Sequence, residues 1–145
     1  MPDCRLVVWI LLTGCALMTG SSWWCECVRY PAFLRWAPEE FHHRHNWHTF
    51  EIGIVVIPGM IMQIAGAAAL FLYPQVPWWL RIVHVVLTLA SIGPTLLISG
   101  PLHGRLSRVR DEAAIRRLIR ANLPRTLAWT AQLVACVPLF FFVAS

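Results

Sequence analysis

Residues 40–51 read EFHHRHNWHTFE, and residues 52–73 read IGIVVIPGMIMQIAGAAALFLY. The second stretch decides the fold. It holds no charged residue, and at about 1.5 Å per residue it is long enough to cross a hydrocarbon core of ~30 Å as one helix. The first stretch crowds His42, His43, His45, His48 and Glu51 at its entrance. Such groups form a solvated flank, an anchor or a functional site, depending on the direction in which each side chain points.

Three more segments read the same way. Spans are expected over residues 6–28, 49–73, 78–100 and 124–143, in a single membrane domain over residues 1–145. The chain is 58% hydrophobic and 13% charged, too little polar surface to clothe a soluble core. The expected fold class is therefore all-α: an integral membrane four-helix bundle. The net charge of +5 comes from twelve basic residues, all arginine. No soluble basic patch stands behind it, so topology and anionic headgroups explain it and nucleic acid does not.

Ten of the arginines fall in the loops after spans one and three, seven of them between Arg105 and Arg125; only Arg5 and Arg81 lie opposite. The positive-inside rule then places both termini in the periplasm of a bacterial inner membrane, with the histidines on the cytoplasmic side. Residues 12–15, LTGC, match a lipoprotein cleavage motif. Cleavage there would turn the arginine-rich loop outward, so an intact first span is expected. Residues 111–121 predict a short amphipathic helix capped by Asp111, lying on the cytoplasmic membrane surface before a turn at Pro124. Five cysteines, an odd number scattered through apolar segments, argue against a disulfide framework.

Each span carries one polar or small stripe at helical spacing. These are Cys15, Thr19, Ser22 and Glu26 in the first, and His45, His48, Gly59, Gln63 and Gly66 in the second. The third has His84, Thr88, Ser91, Thr95 and Ser99, with His103 just beyond; the fourth has Asn122, Arg125, Trp129, Gln132 and Cys136. Unpaired polar groups in hydrocarbon cost several kcal/mol, so the stripes should face one another. Ser, Thr and Gly there serve packing; ionisable residues are functional candidates.

His45 and His48 lie one turn apart and could share a metal with Glu26 or His103, a nitrogen and oxygen set suited to iron or copper. A histidine pair across spans two and three could instead hold a haem. His48 with Glu51 could act as an acid–base pair. Arg125 and Asn122 could orient an anionic or quinone-like ligand. The candidate catalytic residues are thus His45, His48, Asn122 and Arg125, with His103 and Trp129 as cofactor-facing residues.

The segments FHHRHNWH…VVIPGM, GPLHGRL and RANLPRTLAWT resemble an uncharacterised family of small four-span bacterial membrane proteins. The shared positions are His45, His48, Pro58, Met60, Pro101, His103, Leu106, Asn122, Arg125, Thr126, Trp129 and Thr130. The layout is distantly similar to the anthrone oxygenase-like membrane family. The resemblance implies a carboxylate near Gln63 and a basic residue near Gln132, where this chain has amides.

The expected function is an oxidoreductase or oxygenase-like activity on a lipophilic small molecule. Its alternatives are a non-enzymatic scaffold or complex subunit, and a small transporter using Glu26 as its proton carrier. The expected partners are the lipid bilayer, the lipophilic molecule, and a second copy or a partner membrane protein.

Overall fold

In the computed structural model, which describes residues 3–143, four helices are long and apolar enough to cross a membrane: α1 (Cys4–Phe33), α2 (Pro38–Leu72), α3 (Trp78–Leu106) and α4 (Glu112–Phe142). No strand occurs among the described residues. Helices of 29 to 35 residues are about 44–52 Å long, well beyond a ~30 Å hydrocarbon core. Their polar ends therefore continue as helix past the apolar stretch.

The helices thus run beyond the expected spans. Hydropathy ends a span where charge begins, but the helix does not end there. α2 starts at Pro38 and takes the whole histidine stretch into the helix, and α3 runs on through His103 to Leu106. The expected surface helix of residues 111–121 is the start of α4, which passes Pro124 unbroken to Ala135. Asp111 caps it, accepting from the backbone N–H groups of Ala113 and Ala114 at 2.9 and 3.1 Å. The Ala114 bond above all, and then Arg105 at 2.6 Å, hold the Asp111 carboxyl below its ordinary range. The apolar face of this segment is covered by protein: Ala114, Ile115 and Leu118 pack with Phe33, Phe41 and Leu106. Where the alternative to such burial is water, each large side chain contributes about 1.5–3 kcal/mol. This is why the segment stays in line with α4.

The faces sort by helical phase. On α2, Trp47, Phe50, Ile54, Ile57, Ile61 and Ile64 are exposed, while His45, His48, Gly59, Gln63 and Gly66 are buried. α1 packs along α2 and α4, and α3 packs along α4; the seam between α2 and α3 is much looser. The α1–α2 contact needs glycine. A Cβ on Gly66 would lie 2.7 Å from the Leu11 Cβ, and one on Gly14 would lie 2.9 Å from the Gly59 carbonyl oxygen. Gly66→Val is expected to lower stability by about 1–3 kcal/mol through overpacking. Gly20→Ala, with nothing within 4 Å of the added carbon, is expected to be neutral. Unfolding midpoints in one detergent check both.

Candidate functional site

Two π-helical turns shape the interior. Residues Cys25–Arg29 of α1 and Thr95–Ser99 of α3 wind as π-helix. Each is closed by an i→i−5 bond, from Tyr30 N–H to the Cys25 carbonyl and from Gly100 N–H to the Thr95 carbonyl. In each, proline comes directly after the residue that closes the turn, Pro31 after Tyr30 and Pro101 after Gly100. A proline inside a helix has no N–H and crowds the carbonyl four residues back, and a wider turn relieves both. The π turn also re-aims side chains, so Cys25 and Tyr30, five residues apart, are both buried.

Those turns wall a cavity of about 250 Å³, lined by Cys25, Tyr30, Ser99, His103, Arg125 and Trp129 on its polar side and by Ile52, Val56, Met60 and Leu96 elsewhere. A hydrogen-bonded chain runs along its wall. His45 Nε2 meets His103 Nδ1 at 3.1 Å, and His103 Nε2 meets the Tyr30 hydroxyl at 3.2 Å. Arg125 Nη2 donates to the Tyr30 hydroxyl at 3.4 Å and to Asn122 Oδ1. Asn122 Nδ2 donates to Glu26 Oε2 at 2.5 Å. Arg125 also reaches Thr95 Oγ1 at 3.4 Å and lies 5.1 Å from the centre of the Trp129 ring. Ser22 and Thr126 hydroxyls meet at 2.5 Å beside Asn122.

Below this lies a second polar layer. Trp129 Nε1 donates to Gln63 Oε1 at 3.1 Å, Gln63 donates to Gln132 Oε1, and Gln132 donates to Thr88 Oγ1 at 2.8 Å. Two amides satisfy one another, so the positions where the resemblance implies charges are a self-contained neutral pair. His84, against the Ala135 carbonyl at 3.1 Å, is a packing residue.

The histidine stretch divides by phase. His42 and His43 are exposed, and His45 and His48 are fully buried. Glu51 faces Arg29 at 3.7 Å and is not paired with His48. His48 sits among the rings of Phe33, Trp24 and Tyr30 at 5.4, 6.0 and 6.2 Å, and neither of its nitrogens has a hydrogen-bond partner among the described residues. The ligand set expected from Glu26, His45, His48 and His103 is not arranged to hold a metal. No group of three such side chains among the described residues is. Glu26 is engaged by Asn122, and His103 spends both nitrogens on His45 and Tyr30. The direct contact between His45 and His103 leaves no room for a haem iron between them.

Arg125 and Asn122 turn inward as their spacing implies, 6% and 0% exposed, so Arg125 does not snorkel to the surface. Tyr30 is the residue that stripe reading misses. Its signal is the Tyr30–Pro31 pair, which shifts the phase of α1 and echoes Gly100–Pro101 in α3.

Fold and site together define a helical membrane-type bundle with an arginine, a tyrosine and histidines around a partly apolar cavity. No protein-family model matches this chain, and no curated protein or solved structure matches it either.

Proposed function

We propose that the protein is a small membrane enzyme that moves a proton to or from a lipophilic substrate, in an oxidoreductase or oxygenase-like reaction. The observation that carries this reading is the relay from Tyr30 through His103 to His45, which starts on the wall of the cavity that holds Arg125. A substrate oxygen rests against Arg125, whose Nε has no partner. Asn122 fixes the guanidinium from behind. The Tyr30 hydroxyl takes a proton from the carbon or oxygen acid beside that oxygen as it passes its own proton to Nε2 of His103, the base of the relay. The imidazole pair can hand it on, one ring donating while the other accepts, toward the unpartnered Nδ1 of His45. The anion left behind is the species to which dioxygen adds in an oxygenase-like reaction.

The bundle is placed in a bacterial inner membrane with both termini periplasmic and the cavity near the cytoplasmic face, on the strength of the arginine distribution. The motif resemblance supports grouping it with the four-span bacterial family. A non-enzymatic subunit is the second reading. The self-paired layer of Gln63, Gln132, Trp129 and Thr88 favours it, because that layer needs no ligand.

The test is oxygen uptake by the purified protein in nanodiscs, offered a panel of lipophilic ketones, anthrones and quinols. At least one compound should be consumed, and Tyr30→Phe and His103→Gln should each slow that turnover by about 10²-fold or more. A panel left untouched, or variants as fast as the parent, would leave the subunit reading standing.

A further inference from the structure

The loose seam between α2 and α3 holds two spaces that share a wall. One is the polar cavity already described. The other, of about 350 Å³, is almost wholly apolar and lined by Ile64, Ala68, Val85, Leu89, Ile92 and Leu96. Leu96 borders both. From Val85 to His103 the series follows one helix, α3, over about 27 Å. Ile64, Leu89 and Leu96 are exposed along it, so the seam is open sideways, where a bilayer would lie.

The polar end lacks something. Arg125 is buried and forms no ion pair among the described residues. No carboxylate among the described residues lines the cavity, and Glu26 reaches Arg125 through Asn122. Arg125 Nε and Ser99 Oγ, buried atoms of two residues that line the cavity, have no hydrogen-bond partner among the described residues. A buried cation of this kind is costly until an anion meets it.

We propose that this seam binds a single-chain amphiphile with an anionic head, entering sideways from the bilayer. Its head oxygens accept from Arg125 Nε and Ser99 Oγ, and its chain passes Leu96 into the apolar groove beside Leu89 and Ile64. Each space is near or below the low end of the ~300–1,000 Å³ typical of small-molecule pockets, which suits one chain and not the two of a phospholipid. A long-chain carboxylate is the simplest molecule of this class. The inference goes beyond the proposed function: it concerns what occupies the same cavity, and the long-chain carboxylate is its ligand and not the compound turned over.

The experiment uses the full chain in phosphatidylcholine nanodiscs and a long-chain fatty acid carrying a photoreactive diazirine at mid-chain. Cross-links are mapped by mass spectrometry. They should concentrate on residues 64–68 and 85–96, and unlabelled fatty acid should compete at least tenfold better than the alcohol of equal length. Leu96→Trp, which fills the junction, should cut labelling about tenfold. Leu97→Trp, on a residue 79% exposed that lines neither space, should not. Labelling spread over the exposed stripe of α2, or indifferent to Leu96→Trp, overturns the seam. Equal competition by the alcohol overturns the anionic head. Mapped labelling without turnover upholds the binding site and counts only against the enzyme; turnover without mapped labelling does the reverse.

Discussion

Arg125→Met is expected to abolish ligand binding while leaving the empty bundle as stable as before, or more so. Among the described residues, Arg125 is the one arginine lining the polar cavity. Truncating one partner of a buried charge pair costs about 2–5 kcal/mol, or roughly 30-fold to several thousandfold in affinity. Without ligand the sign reverses, because replacing a buried, unpaired cation by an apolar chain of similar length is neutral or stabilising. Asn122 Oδ1 loses its donor, a cost that removal of the buried charge offsets. Tyr30 keeps His103, and Asn122 keeps Glu26. A site that holds a costly group for its ligand shows this opposition of binding and stability. The measurement pairs the dissociation constant for a long-chain carboxylate with the unfolding midpoint in the same nanodisc. A fall in midpoint with binding unchanged would make Arg125 a structural brace and remove the basis of the site.

The contrast among these residues shows how far a sequence carries. Helical phase alone puts Trp47, Ile54 and Ile61 outward and His45, Gly59 and Gln63 inward, and the burial agrees. The inward seam of Asn122, Arg125, Trp129 and Gln132 is read the same way. Two things escape such reading. Span ends are set by hydropathy, whereas a helix continues as long as protein covers its apolar face, as Phe33, Phe41 and Ile115 cover one another. Phase also fails at a π turn, which inserts a residue and rotates the remainder of the helix by about 100°. So Glu26, placed on the stripe by spacing, is half-exposed, and Tyr30 takes the interior. Pairing across helices, such as Tyr30 with His103 or Gln63 with Gln132, depends on the angles and heights of four rods and has no sequence signal.

Asn122→Leu should produce the largest loss of stability of any single change near the cavity, about 1.5–3 kcal/mol. The side chain is fully buried and ties α4 to α1. It donates to Glu26 and, at 3.4 Å, to the Ser22 carbonyl, and it accepts from Arg125. Leucine fills a similar volume, so little cavity is made and the loss is electrostatic. Arg125 loses the amide oxygen that accepts from it in a setting too dry to replace it with water, whereas half-exposed Glu26 can turn to solvent. The pairing makes a sharp prediction. In the background of Arg125→Met, where that buried charge is gone, Asn122→Leu should cost less by more than about 1 kcal/mol, a coupling typical of residues in one network. Combined with Gly20→Ala, at a site with nothing packed on it, its cost should be unchanged. If the two double variants show equal costs, Asn122 acts by shape alone, and the link from Glu26 to Arg125 is an accident of packing without energetic weight.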